Sequence, residues 1–168
     1  MMTKTTTTLV LASLIASASP AHAEVSVPPI LSCTAPYRAW MNGFAEHYIE
    51  VYNSHDTSRF GEVMTSDAIN HNPFGSMDRA GLAAVMDAFY DAFPDLTYEI
   101  EQVAIDGNRL VIEYTYTGTH LGDFNGLPPT GIQVHGRGLE INLLRHGKVA
   151  ETFNYTDAFT LYAQLGLL

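Results

Sequence analysis

Residues 109–120 read RLVIEYTYTGTH. Leu110, Ile112, Tyr114 and Tyr116 alternate with Val111, Glu113, Thr115 and Thr117. Strand side chains repeat every two residues, so one face of this strand carries the large apolar and aromatic groups. The same period governs residues 96–106, 132–145 and 148–156, which read as three more strands. Asp106-Gly107-Asn108 and His146-Gly147 separate consecutive strands and suit tight hairpin turns.

Upstream of Pro94 the period is three to four instead. Trp40, Met41, Phe44, Tyr48, Ile49 and Tyr52 mark one face of a helix over residues 37–53. A short helical segment, 58–64, follows the turn NSHDT, and a brief strand, 68–71, stops at Asn72-Pro73 and Gly75. Asp78 can cap a helix reaching Phe93, with Leu82, Val85, Met86, Phe89 and Phe93 on one side, and Pro94 ends it. Residues 157–165 form a short closing helix. Helices first and strands afterwards define an α+β domain over residues 37–168. A curved antiparallel sheet packs on three N-terminal helices, with a short C-terminal helix added.

The first 23 residues have the layout of a secretory signal peptide. Lys4 precedes an apolar stretch, 9–18, and Ala21-His22-Ala23 offers a small-x-small cleavage pattern. The sequence therefore predicts cleavage after Ala23 and a periplasmic or secreted product. Residues 24–36 make a proline-containing leader without periodicity. Eighteen acidic residues oppose eight basic ones, a formal net charge of −10 at pH 7. Removing Lys4 with the signal peptide makes the product more acidic still. Such a surface repels phosphate backbones and anionic lipid, which argues against nucleic-acid and membrane partners. Cys33 is the only cysteine, so no internal disulfide can form and stability rests on packing.

Residues 148–157 raise the question of chemistry. Continued alternation puts Val149, Phe153, Tyr155 and Asp157 on the helix-facing side. A carboxylate at the edge of an aromatic concavity is partly desolvated, which raises its pKa and improves it as a base. Asp157 is equally suited to cap the last helix, and the two roles are compatible. His71, His120 and His135 could each polarise a carbonyl or hold a carboxylate, or simply make structural hydrogen bonds. No histidine shows metal-ligand spacing, and no nucleophile elbow, phosphate loop or dinucleotide fingerprint is present. Neither a metal nor a cofactor is expected. Gly136-Arg137-Gly138 lies inside a strand, where glycine bends the sheet or lets a side chain approach closely. The candidate site consists of Asp157, His71 and His120 as catalytic groups, with Trp40, Tyr114, Glu140, Phe153, Asn154 and Tyr155 as binding groups.

Several pieces in order carry a further signal: HNPFG, AFPDL, GTHLGDFNGLPPTG, the GLEIN strand, GKVAETFNYTD and a closing QLG. Together, over residues 44–166, they resemble the SnoaL-like polyketide cyclase or ester cyclase family of the nuclear-transport-factor-2-like superfamily. The resemblance implies a cone-shaped α+β barrel with a pocket at its open end, commonly dimeric. It also implies cofactor-free proton abstraction by an aspartate, followed by aldol closure. Phe153 then replaces the family's usual Trp, Asn154 stands where many relatives carry a carboxylate, and Asp157 matches a second acidic position. An amide cannot accept the proton. His71 and His120 match family histidines. The PPTG turn is expected to shape the pocket rim.

The leading expectation is an exported acid–base enzyme acting on a small apolar carbonyl compound. The alternatives are a non-catalytic module that binds a small apolar or aromatic molecule, and a dimeric interaction protein using Arg137, Leu139 and Ile141 on the opposite sheet face.

Overall fold

The computed structural model describes residues 34–168. The signal peptide of residues 1–23 and the leader residues 24–33, Cys33 among them, lie outside the described residues.

The chain opens with helix α1 (Ala35–Asn53), two residues earlier than periodicity implies because Pro36 fits a first helical turn. Its buried face is Met41, Phe44, Ala45, Tyr48, Val51 and Tyr52. A 3-10 turn (Thr57–Arg59) and a one-turn helix α2 (Phe60–Val63) divide the expected 58–64 segment. Strand β1 (Met64–Asn72) is longer than expected, and the unforeseen β2 (Gly75–Asp78) folds back on it. Helix α3 (Arg79–Ala92) begins as the sequence predicts, with the Asp78 carboxylate accepting the Gly81 N–H at 2.8 Å.

Strands β3 (Thr97–Asp106), β4 (Arg109–Thr119), β5 (Gln133–Arg145) and β6 (Lys148–Thr156) follow, and helix α4 (Ala158–Gln164) closes the chain. The curved sheet has the order β2-β1-β6-β5-β4-β3. It is mixed: β3 to β6 form the expected antiparallel meander, but β6 returns beside β1 in the same direction. Helix packing on the inner face buries Leu110, Ile112, Tyr114 and Tyr116 of β4, as the alternation of residues 109–120 requires.

In β6 the alternation breaks. Leu144 pairs with Val149, yet Leu143 pairs with Glu151, so Ala150 is an extra residue, a β-bulge. Beyond it the parity of side chains is reversed. Thr152, Asn154 and Thr156 face inward, whereas Phe153 turns outward and Tyr155 is 62% exposed. The expected inward pair of Phe153 and Tyr155 is thereby corrected.

Candidate functional site

The inward turn of β6 brings three polar groups together beneath α1. Asn154 and Glu140 are register partners across β6 and β5, and Tyr114 lies on the neighbouring strand β4. Asn154 Nδ2 donates to Glu140 Oε1 at 2.7 Å and to the Tyr114 hydroxyl at 3.0 Å. Its Oδ1 accepts the Thr156 N–H at 3.1 Å, which fixes the orientation of the amide. Because an amide nitrogen only donates, the Tyr114 oxygen accepts, and its own O–H remains available to another acceptor.

These groups form the polar floor of a cavity with about 100 Å³ of internal room, several times what a water molecule needs. Its walls are aromatic: Tyr48 and Tyr52 from α1, Tyr98 from β3, Tyr114 and Tyr116 from β4, and Phe89 and Phe93 at the end of α3. Phe74, which lines it and is 51% exposed, stands where it meets solvent. Tyr48 and Tyr52 join hydroxyls at 3.2 Å. Among the described residues, no lysine, arginine or histidine lines the cavity.

Glycine makes the aromatic wall possible. Tyr114 pairs with Gly138 and Tyr116 with Gly136, and each ring lies across its glycine. A Cβ at either position would sit 2.4 Å from a tyrosine ring or hydroxyl atom. Close side-chain approach, one of the two roles the sequence offers for Gly136 and Gly138, is what the fold uses.

Glu140 is 6% exposed and, among the described residues, is the one buried carboxylate. Burial raises its pKa above the ordinary 4.5, and hydrogen bonds from Asn154, Tyr48 and Asn142 oppose that rise without cancelling it. Burial likewise pushes the pKa of Tyr48, Tyr52, Tyr98 and Tyr114 up, so these phenols stay protonated donors.

Of the residues selected from sequence, Tyr114, Glu140 and Asn154 meet in this cavity and the others do not. Asp157 caps α4, accepting the Thr160 N–H at 3.0 Å and its hydroxyl at 2.6 Å. Those bonds lower its pKa, the reverse of the rise that desolvation was expected to bring. Trp40 is 44% exposed and packs between Tyr37 and Phe44. His71 and Phe153 stack on each other on the outer sheet face.

His120 is fully buried, its Nδ1 3.0 Å from Thr130 Oγ1 and its ring against Phe93 and Phe124. Its Nε2 has no hydrogen-bond partner among the described residues. The turn it opens docks on the end of α3, where Leu121 and Gly122 N–H both donate to the Ala92 carbonyl. No residue from 119 to 133 lines the cavity, so the expected rim role of the PPTG turn is corrected to a docking role. His135 is exposed; its N–H donates to Gln164 Oε1 and its carbonyl accepts from Gln164 Nε2. Sequence reading missed Tyr52, Tyr98, Tyr116 and Asn70 as wall residues, although the four-residue spacing of Tyr48 and Tyr52 on α1 signalled a shared face.

Helices over the concave side of a curved sheet, with one hydrogen-bonded carboxyl group in an aromatic cavity, define a small-molecule pocket protein of the α+β barrel type. The sequence belongs to the SnoaL-like polyketide cyclase family, which it matches over residues 43–165. Solved structures agree. AclR from Streptomyces galilaeus, a candidate hydroxylase, is 26% identical with a TM-score of 0.72, covering 77% of this chain and 83% of its own. IdmH from Streptomyces antibioticus, a candidate polyketide cyclase, is 27% identical with a TM-score of 0.68, covering 75% and 98%. TsrD from Streptomyces laurentii shares the fold at 24% identity and a TM-score of 0.70, covering 78% and 98%. No functionally curated protein matches the sequence. Among the described residues, no helix is long and apolar enough to cross a membrane, and no group of His, Cys, Asp and Glu is arranged to hold a metal.

Proposed function

We propose that the protein is an exported, cofactor-independent acid–base enzyme of the cyclase type, acting on a small apolar carbonyl compound, with Glu140 as the group that moves the proton. The observation that carries this is a carboxyl group buried among tyrosines, paired with an amide and facing no cation among the described residues. Such a group is a stronger base once ionised than an exposed glutamate, because water does not stabilise its charge. Asn154 occupies the position that the family resemblance gives to a carboxylate, and Glu140 restores one at the same level, one strand over.

In the proposed reaction, ionised Glu140 removes a proton from carbon next to a carbonyl. Electron density moves onto the carbonyl oxygen, where the Tyr114 O–H donates. The enolate carbon then bonds to a second carbonyl carbon of the same molecule. The resulting alkoxide takes the proton back from Glu140, so the sequence balances without metal or redox partner. Asn154 holds the carboxyl and phenol in register throughout. The apolar walls favour an aromatic or aliphatic substrate.

Deuterium uptake from D2O into the α-carbons of cyclohexanone, whose uncatalysed exchange is slow, followed by NMR, tests the proton transfer. Glu140→Gln should slow enzyme-dependent exchange by about 10²–10⁴-fold. Equal rates would remove Glu140 from the mechanism. The second reading, a non-catalytic binding module, draws on the saturated amide of Asn154, which cannot accept a proton. It expects a small molecule in native mass spectra of protein from its own host and no exchange above background. We further propose a homodimer formed across Val111, Leu139 and Ile141 on the outer face of β4 and β5, which a monomer in sedimentation would refute. Export predicts an intact mass beginning at Glu24.

A further inference from the structure

On the outer face, at the opposite edge of the sheet from β3, His71 joins two other reactive side chains. Ser76 Oγ lies 2.7 Å from His71 Nδ1, and His71 Nε2 lies 3.0 Å from Glu151 Oε1. Three strands set this arrangement. His71 is the register partner of Ser76 across β1 and β2, and of Phe153 across β1 and β6. Glu151, two residues before Phe153, pairs with Ile69. The imidazole stacks on Phe153 with centroids 4.7 Å apart and planes 20° from parallel, which holds the ring plane.

The direction of each hydrogen bond follows from the chemistry. An ionised carboxylate only accepts, so Nε2 carries the ring proton and donates to Glu151. The lone pair of neutral imidazole is then on Nδ1, and the Ser76 hydroxyl donates to it. Ser76 is exposed while Glu151 is 18% exposed at its side chain, so the hydroxyl meets solvent and the acid sits behind the ring. This is the order nucleophile, base and orienting acid, with the two ring nitrogens exchanged relative to the common hydrolase arrangement. Sequence reading had no access to it, since Ser76, His71 and Glu151 follow no elbow motif and Glu151 is 80 residues from His71.

We propose that Ser76, His71 and Glu151 form a second catalytic site, a serine nucleophile that hydrolyses carboxylic esters with apolar acyl groups. Ser76 Oγ bonds to the ester carbonyl carbon while its proton passes to His71 Nδ1 and the carbonyl electrons move onto oxygen. Among the described residues β2 ends the sheet, and amides on the outer edge of such a strand face no neighbouring strand there, so they can donate to that oxygen. The bond to the alcohol oxygen breaks, and the alcohol leaves with the proton from Nδ1. Water repeats the sequence on the acyl-serine, releasing the acid and restoring Ser76. Ile69, 38% exposed and two residues before His71 on the same face, and Phe153 supply the apolar surface beside the acyl group. Glu151 acts through His71 as a positioning residue. Nothing in this site depends on the Glu140 cavity, which lies on the other face.

A fluorophosphonate probe on the full chain tests the proposal, because attack by Ser76 on phosphorus expels fluoride and leaves a stable mass increment. Wild-type protein should gain one adduct, mapped to Ser76 by tandem mass spectrometry, and should hydrolyse p-nitrophenyl butyrate. Ser76→Ala, which removes one exposed oxygen and should keep the wild-type circular dichroism, should lose both. His71→Gln should slow labelling by about 100-fold or more. Glu151→Gln should slow it by about tenfold, with partial recovery in Glu151→Asp. No adduct, an adduct on another serine, or labelling that survives Ser76→Ala would overturn the proposal and show that the three residues only tie β1, β2 and β6 together.

Discussion

Glu140 and Asn154 stand opposite each other on β5 and β6, the amide nitrogen 2.7 Å from the carboxylate oxygen. The amide offers a hydrogen bond but no charge. Ionising Glu140 therefore places an uncompensated charge in an aromatic enclosure, and burial holds its pKa above the ordinary 4.5. In the unfolded chain the same group ionises normally. Between those two pKa values the folded state binds more protons, so the contribution of Glu140 is fully present below pH 4.5 and lost as pH rises through the folded value. Glu140→Gln, which never ionises, should gain thermal stability relative to wild type as pH climbs from 4 to 9. Parallel melting curves at every pH would contradict a raised pKa.

The pairing of Tyr114 with Gly138 yields a second expectation. A Cβ on Gly138 would lie 2.4 Å from the Tyr114 hydroxyl and 2.5 Å from the ring carbon that bears it. Gly138→Ala should therefore displace the ring and cost about 1–3 kcal/mol by overpacking. In Tyr114→Ala the ring is gone, and the same glycine substitution should cost much less. A double-mutant cycle in urea measures that coupling, and strict additivity would mean that the ring moves aside freely.

Tyr114 also separates binding from chemistry. Its oxygen accepts from Asn154, so its proton is free for a substrate oxygen. Tyr114→Phe should lower kcat in the proton-exchange assay by about 10²-fold with a smaller change in KM, as expected for a donor that acts on developing charge. A rise in KM alone would make Tyr114 a wall residue only.

Most of the fold follows from local pattern. Leu110 to Tyr116, the Asp78 cap and the strand limits at Lys148 and Thr156 depend on neighbours in sequence, and each lies where periodicity puts it. The site was less legible because one inserted residue, Ala150, reverses the parity of all that follows it in β6. A bulge is defined by its partner strand, which a linear pattern does not contain. Glu140 and Tyr114 reach the cavity because β5 and β4 keep their alternation around them. Unbroken alternation along β6 would point Phe153, Tyr155 and Asp157 inward, and the bulge turns Phe153 and Tyr155 outward instead. The Ser76–His71–Glu151 cluster was invisible for a related reason: the parallel β1–β6 pairing that creates it joins strands remote in sequence.

The capping role of Asp157 is open to a direct test. Its bonds with Thr160 lower its pKa, so the stability it contributes is present above the ordinary 3.8 and is lost as pH falls through the folded value. Asp157→Ala should lower Tm at pH 7, and the difference from wild type should vanish in strong acid. Asp157→Asn keeps a capping oxygen and should lower Tm less. Both should retain proton exchange within a few-fold. A loss of exchange in Asp157→Asn with an unchanged fold would return Asp157 to the mechanism.

Gly122 offers a test of what the glycine-rich turn does. A Cβ there would lie 2.1 Å from the Asp91 carbonyl oxygen, a backbone atom that cannot swing away. Gly122→Ala must lift the turn from the end of α3, breaking the bonds of 2.9 and 3.0 Å from Leu121 and Gly122 to Ala92. Hydrogen exchange at those two amides should accelerate, with a stability loss of about 1–3 kcal/mol. Because the turn contributes nothing to the cavity lining, Glu140-dependent exchange should persist at temperatures where the variant remains folded. If Gly122→Ala instead abolished that exchange while the sheet stayed intact, the docked turn would be shaping the cavity through Phe93, which touches both His120 and the pocket.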